Sequence, residues 1–327
     1  MRLPKFAYVE PRSLEEASAV LAEHGSHSRL IAGGTDLLPS MKLGLAAPEW
    51  LVSTRHLPHL DTVEFDGASG LRIGASVTLN VLERHPVVQE KFPAIAAAAR
   101  SVGSPHLRRM GTIGGNLNID TRCDYYNQPG FWRACKPTCI KAGGETCNAI
   151  GGGRKCFAVF SGDLAPALIA LDARVRLVSV HEERTIPVNE LYTGNGATPS
   201  ATKPGEVLVG VEVPPLAAGT FTAYVKFAIR KAIDFPLAGV GVAVAFEGKE
   251  RICRAARVVI SGVGMRPEEV KTIAKLLEGN ALSAALIEEA ASLAFKAARP
   301  VANRGSSPSY RKLMIKAMVR KALRQAL

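Results

Sequence analysis

Ser28-Arg29-Leu30-Ile31-Ala32-Gly33-Gly34-Thr35-Asp36-Leu37-Leu38-Pro39 is the stretch that decides the fold. A short apolar strand over residues 28–32 runs straight into a Gly-Gly turn. Upstream, Ser13-Leu14-Glu15-Glu16 is a capping box, with Ser13 as N-cap and Glu16 at the third helical position. That helix is expected to run to about Glu23 and to stop at Gly25. Helix, strand and glycine turn form an α/β unit that delivers a turn at a strand end. Trp50–Ser53 reads as a second strand.

The same pattern returns further on. Residues 71–75 read as a strand, Thr78 caps a helix ending at His85-Pro86, and residues 93–100 are alanine-rich and helical. Ser101-Val102-Gly103-Ser104-Pro105 breaks that helix, and Met110-Gly111-Thr112-Ile113-Gly114-Gly115-Asn116 forms a second glycine loop. Loops of this kind let backbone amides approach a ligand, and successive N–H groups make a nest suited to a pyrophosphate. Neither loop is a Walker A motif or a Gly-x-Gly-x-x-Gly fingerprint. A tight turn explains either loop alone; two in one domain point to a dinucleotide.

Five of the six cysteines fall between Cys123 and Cys156, spaced Cys123-x11-Cys135-x3-Cys139-x7-Cys147-x8-Cys156. Clustered thiols in a reducing compartment hold a metal or a cluster more readily than they pair as disulfides. The absence of a Cys-x2-Cys knuckle disfavours zinc, and the compact ferredoxin run is missing too. A four-thiolate iron–sulfur cluster on a dedicated loop is the best reading, and surplus thiols in a loop are the plainer alternative. The segment is dense in Gly and turn residues and reads as an excursion from its domain.

Regular structure is expected to resume at residues 157–160, then at 165–171, then in a strand over 174–180. Pro214-Pro215-Leu216-Ala217-Ala218-Gly219 reads as a linker. Beyond it come strands over 221–229, 237–246 and 257–263, then helices over 267–277 and 283–298, a separate α+β domain. The expected division is 1–54, 55–215 with the cysteine segment at about 122–157, and 216–327.

The chain has 327 residues, 47% hydrophobic and 21% charged, as in an ordinary globular protein. No signal-peptide pattern or membrane-length apolar run is present, so a cytoplasmic location is expected. The net charge of +12 is dispersed, with two local excesses. The cysteine segment has Arg122, Arg133, Lys136, Lys141, Arg154 and Lys155 against Asp124 and Glu145. The last twenty residues are basic without an acid and read as a solvated face.

Ala32-Gly33-Gly34-Thr35-Asp36-Leu37-Leu38-Pro39 and Thr112-Ile113-Gly114-Gly115-Asn116 resemble the two FAD-pyrophosphate loops of the flavoprotein subunits of molybdenum hydroxylases. That group includes the medium subunit of aerobic carbon monoxide dehydrogenase and the flavin domain of xanthine dehydrogenase. Ser161-Gly162-Asp163-Leu164-Ala165-Pro166-Ala167 looks like the family segment that follows the second loop, and the resemblance continues from Lys226-Phe227 to Ala243. It implies an α+β, two-subdomain FAD-binding fold with a cysteine-rich cluster insertion and a C-terminal α+β domain. Carried over by position, the flavin contacts fall on Leu30, Ile31, Ala32, Gly33, Gly34, Thr35, Asp36 and Leu37. The second group is Gly103, Leu107, Gly111, Thr112, Gly114, Gly115 and Asn116. Asp163 would touch the ribityl or adenosine side, with Leu208 and Leu237 near the isoalloxazine.

The insertion, with Tyr125-Tyr126-Asn127-Gln128 and Phe131-Trp132-Arg133, resembles one branch of the family, the β subunits of 4-hydroxybenzoyl-CoA reductases. That resemblance implies a [4Fe–4S] cluster on Cys123, Cys139, Cys147 and Cys156, with Cys135 left out and Cys253 a buried thiol. It further implies an electron path from reduced ferredoxin through the cluster and FAD. The path would continue to [2Fe–2S] clusters and a molybdenum cofactor on partner subunits, in a dimer of heterotrimers. The reaction implied is reductive dehydroxylation of 4-hydroxybenzoyl-CoA to benzoyl-CoA, with no catalytic residue on this chain and no nucleic-acid or membrane partner. Two alternatives remain: a flavin subunit of another molybdenum hydroxylase, running electrons outward, and a zinc-stabilised basic module.

Overall fold

The computed structural model describes residues 2–327. Three sheets follow one another along the chain. The first contains β1 (Ala7–Val9), β2 (Ser28–Ile31) and β3 (Trp50–Ser53), with α1 (Leu14–His24) and α2 (Leu37–Lys42) in the connections. Its order is β1-β3-β2 and all pairing is parallel, with Trp50 opposite both Ala7 and Ser28. Parallel pairing requires crossovers, and α1 supplies the first. Ser13 Oγ accepts from the Glu16 amide, while Glu16 accepts from the Arg12 amide, and α1 ends at Gly25. Ala17 and Leu21 of α1 are buried against Val52, Leu57 and Leu60.

The second unit carries β4 (Val63–Asp66), β5 (Gly70–Gly74), α3 (Leu79–Arg84), α4 (Pro86–Lys91) and α5 (Pro93–Ser101). Next come α6 (Pro105–Met110), α7 (Ile113–Leu117), α8 (Gly130–Ala134), α9 (Leu164–Ala170), β6 (Arg174–Val178), β7 (Glu183–Pro187) and β8 (Val207–Val213). Its five strands run antiparallel in the order β4-β5-β8-β6-β7. Leu71, Ile73, Val175, Leu177, Val211 and Val213 alternate inward and meet the apolar faces of α3, α5 and α9.

The third unit is an antiparallel sheet in the order β12-β11-β10-β9. Its strands are β9 (Thr220–Phe227), β10 (Ala238–Glu247), β11 (Ile252–Ser261) and β12 (Glu268–Glu269). Helices α10 (Lys271–Leu277), α11 (Ala284–Ala297) and α12 (Pro308–Arg324) pack on it. Helices α5 and α9 also rest on β9 and β10, so the second and third units share a face.

Four expectations need correction. Residues 157–160 form no regular element; Val159 pairs with Arg122 as an isolated antiparallel bridge instead. The expected helix over 267–277 starts only at Lys271, because Glu268-Glu269 pairs with β11 as an edge strand. The strands β1, β4, β7 and β8 were not foreseen. The basic tail is not a solvated face: it is α12, with Ile315, Val319 and Leu323 fully buried. Arg311, also fully buried, donates to the carbonyls of Leu237, Val301 and Gly262, fastening α12 to the sheet.

Candidate functional site

The two glycine loops meet. A Cβ on Gly33 would stand 1.8 Å from the Met110 carbonyl oxygen, so the first loop lies directly on the start of the second. Side-chain atoms could not be fitted there without moving backbone. Gly34 adopts φ +66°, the left-handed region that glycine tolerates. These loops line one cavity of about 940 Å³, a volume in the range of small-molecule and cofactor sites.

The amides of the two loops differ in availability. In the second loop the Gly111 amide donates to Leu107 O, Ile113 to Val77 O and Gly114 to Ala75 O. The Gly115 amide donates to Thr112 Oγ1, which caps α7, and the Asn116 amide donates to Thr112 O. The second loop is therefore largely satisfied internally and does not form the nest expected of it. In the first loop the amides of residues 33–37 have no protein acceptor, among the described residues. A left-handed glycine with consecutive free N–H groups leading into a helix is a suitable cradle for a pyrophosphate. FAD therefore fits this cavity, with the first loop as its anion-binding part.

All the sequence-derived contacts of the first loop, residues 30–37, line the cavity. So do Gly103, Leu107, Gly111, Thr112, Gly114, Gly115, Asn116, Asp163 and Leu208. Leu237 does not line it; its side chain is buried and its carbonyl accepts from Arg311. Ile233, Asp234 and Phe235 line the wall instead, from the loop between β9 and β10. Asp163 is buried, and each carboxylate oxygen already holds a protein donor: Tyr224 Oη at 2.7 Å and Lys226 Nζ at 3.1 Å. Burial pushes its pKa up, against the opposing pull of Lys226 and Tyr224. Lys226 Nζ also donates to Ser101 O and Asp234 O, both at 2.9 Å, which ties the Phe235 loop to the end of α5. His106 and Arg109 are exposed on α6.

Sequence reasoning missed the 197–206 wall, Lys226 and the 233–235 loop. Turn-forming residues in Thr198-Pro199-Ser200-Ala201-Thr202-Lys203-Pro204-Gly205 mark a loop, but nothing in one sequence ties that loop to the glycine loops.

The cysteine segment leaves the domain through a closed neck. Arg122 and Val159 exchange two backbone hydrogen bonds, each 2.7 Å. Inside, Cys123 and Cys156 are buried with Tyr126 and Ala158, and Cys139 packs against them. Cys147 is half-buried and lies outside that cluster. Cys135 stands apart, exposed on the C-terminal side of α8. Burial pushes the Cys123 thiol up to about 11 and raises Cys156 as well, and the neighbouring thiols add to both shifts. No three Cys, His, Asp or Glu side chains form a metal-binding group among the described residues. Three of the thiols pack together, but the segment's thiols do not form a cage.

Two of the segment's cations are not surface charges. Lys141 is buried; its Nζ donates to Asp120 Oδ1 and Thr121 Oγ1 at 2.6 Å and to Gly196 O at 2.7 Å. Arg122 is buried on Asp36 of the first loop. The exposed cations are Lys136, Arg154 and Lys155, with Arg133 half-buried on Gly44 O. Tyr126 and Lys141 belong to the cysteine segment and also line the cavity, so the two sites share a wall.

The fold agrees with known proteins along the whole chain. Residues 4–216 match the FAD binding domain in molybdopterin dehydrogenase, and residues 223–326 match the CO dehydrogenase flavoprotein C-terminal domain. The carbon monoxide dehydrogenase medium chain of Hydrogenophaga pseudoflava is 30% identical over 99% of this chain and 97% of its own length. Subunit alpha of the 6-hydroxypseudooxynicotine dehydrogenase complex of Paenarthrobacter nicotinovorans is 28% identical over 100% of this chain and 96% of its own. A solved carbon monoxide dehydrogenase from Hydrogenophaga pseudoflava superposes with a TM-score of 0.81 at 28% identity, covering 100% of this chain and 98% of that one. The chain belongs to the family of FAD-binding subunits of molybdenum hydroxylases, and it is an oxidoreductase subunit. The matches give no support to a zinc-stabilised nucleic-acid module. No helix is long and apolar enough to cross a membrane, among the described residues.

Proposed function

We propose that this chain is an electron-transfer subunit carrying both FAD and a [4Fe–4S] cluster, in an enzyme of the 4-hydroxybenzoyl-CoA reductase type. The observation that carries the reading is the sorting of the cysteines. Cys123, Cys139 and Cys156 pack together with Tyr126, which also lines the dinucleotide cavity, and Cys135 is exposed outside that cluster. Thiols are the donors an iron–sulfur cluster requires, and buried cations nearby would offset its charge. When bound, the cluster carries one electron and FAD stores two, which suits a relay collecting single electrons.

The chain's own residues have the tasks of binding, orienting and shielding. Gly33 and Gly34 shape the amide cradle; Thr112 and Asn116 hold the second loop rigid, Asn116 Oδ1 accepting from the Leu164 amide at 3.0 Å. Lys226 anchors the Phe235 loop over the cavity. Neither loop presents a paired acid and base aimed at a substrate, so the substrate reaction belongs to a molybdenum-bearing partner, with [2Fe–2S] clusters on a further subunit. The reading places the donor, a ferredoxin, at the exposed cationic side of the segment, Lys136, Arg154 and Lys155.

The test is to isolate the complex with its partner subunits and supply 4-hydroxybenzoyl-CoA with a low-potential reductant. Benzoyl-CoA formation is the expected result. A complex that instead oxidises an organic substrate and passes electrons outward, with no dehydroxylation, would place it among the hydroxylases named above.

A further inference from the structure

FAD carries two kinds of polar group. Its phosphates are acceptors and suit the free amides of the first loop. Its ribityl and ribose hydroxyls, imide N–H and adenine amino group are donors and need acceptors in the wall. Asp36, Asp120, Asp163, Glu206 and Asp234 are the carboxylates that line the cavity. Both oxygens of Asp163 are held, by Tyr224 and Lys226, and both of Glu206 by Arg184. Those of Asp234 accept from the amides of Arg230 and Phe235. Asp36 and Asp120 each keep one oxygen, Oδ2, without a protein donor among the described residues. Asp36 belongs to the first loop and already stands among the expected flavin contacts. Asp120 has no assigned role.

Asp120 is also held in place. Its Oδ1 accepts from the Thr121 amide at 2.8 Å and from Lys141 Nζ at 2.6 Å. The Lys141 side chain is 4% exposed, and its other two N–H groups go to Thr121 Oγ1 and Gly196 O. Every donor of the ammonium is spent on the wall, so Lys141 has none left for a ligand. A buried ammonium is costly unless it is paired. Here the partner is a carboxylate with one oxygen open and a side chain 43% exposed. The pairing also offsets a negative charge that would otherwise repel the pyrophosphate in the same cavity.

We propose that Asp120 is a further FAD-binding residue, its Oδ2 accepting a hydrogen bond from a hydroxyl or N–H of the cofactor. Lys141 is the positioning residue that aims and neutralises it. Lys141 comes from the cysteine segment, in the turn Ile140–Ala142 just after Cys139. That segment therefore supplies part of the flavin site in its own right. The proposal rests on FAD in the cavity alone and holds whether or not the thiols carry iron.

The experiment titrates the flavin-free full chain with FAD, followed by flavin fluorescence, in wild type, Asp120→Asn, Lys141→Met and the double variant. A hydrogen bond to a charged group is at stake, so Asp120→Asn is expected to weaken FAD about tenfold or more. Lys141→Met is expected to weaken it as well, because the carboxylate is loosened and its charge left unopposed. Since Lys141 acts through Asp120, the double variant is expected to bind about as Asp120→Asn does. Losses that add, or an Asp120→Asn chain that binds like wild type, overturn the proposal. The titration is then repeated with ADP and with FMN, which carry the two ends of the cofactor. Asp120→Asn is expected to weaken one and spare the other, and the weakened one names the end that bears the donor. Equal weakening of both would mean a general loosening of the cavity and overturns the proposal too. If Lys141→Met fails to fold, the Asp120→Asn comparison decides; if ADP or FMN binds too weakly to measure, the FAD series decides by itself.

Discussion

Gly33 and Gly34 are neighbours that are needed for different reasons. At Gly33 the obstacle is the Met110 carbonyl, which is backbone and cannot swing away. At Gly34 the obstacle is conformational: φ is +66°, and the nearest atom to an added Cβ is the flexible Leu38 side chain at 3.0 Å. Gly33→Ala should therefore lose most of its flavin. Gly34→Ala should cost about 1–2 kcal/mol of local strain and still fill at saturating FAD. Flavin-to-protein absorbance ratios after gel filtration compare them, and equal losses would mean that the loops do not need to touch. Glu206 offers a second test at this scale. Burial pushes its pKa up, but bonds from Arg184 and the Lys203 amide outweigh that and hold it below the usual carboxylate value. A depressed folded-state pKa stabilises the protein above the unfolded carboxylate's range, and the gain is lost as pH falls through the depressed value. Arg184→Met should cost about 1–3 kcal/mol near neutral pH, measured by urea unfolding, and the penalty should shrink on acidification; a pH-independent penalty would contradict the assignment. The glycines and Asp36 could be read from the sequence because turns demand particular residues. The partners of the loop amides could not, since they come from Val77, Ala75 and Leu107, and the sequence gives no hint of those contacts.

Between elements, Lys226 does the joining. It leaves β9 and reaches α5, Asp163 and the Phe235 loop with three hydrogen bonds. Lys226→Met would leave the Asp163 carboxylate buried with Tyr224 alone, which should cost about 3–5 kcal/mol. It should also loosen the cavity wall, so flavin release on dilution should quicken. A variant as stable as wild type would show that Asp163 is held in other ways. Elements with a local signature were legible: the capping box of α1 and the Thr78 cap of α3 both lie where the sequence puts them. Helix α12 was hidden by its charges. Lys312, Lys316, Arg320 and Lys321 dominate the composition, while Ile315, Val319 and Leu323, four apart, face the core. The edge strands β1 and β4 are three and four residues long and carry too little pattern to be seen.

At the scale of the molecule, two sites share a wall, and that juxtaposition is the basis of the functional reading. The sequence counted the thiols but could not say that Cys123, Cys139 and Cys156 pack together while Cys135 faces out, because the segment has almost no regular structure to carry a pattern. It also counted Lys141 and Arg122 as loop charges, although their side chains turn inward to Asp120 and Asp36. Steering of an acidic donor should therefore rest on Lys136, Arg154 and Lys155. A Lys136→Glu, Lys155→Glu double variant should slow second-order reduction by ferredoxin at low salt, and the difference should fade as screening increases; a rate insensitive to both would remove the docking claim. The central claim is that one chain carries both cofactors. The most direct measurement is the iron and acid-labile sulfide content per flavin of the anaerobically isolated chain, in wild type, Cys139→Ala and Cys135→Ala. The account predicts about four iron per flavin in wild type and Cys135→Ala, and loss or conversion of the cluster in Cys139→Ala. A yellow, iron-free wild-type chain, or iron lost only when Cys135 is replaced, would contradict it.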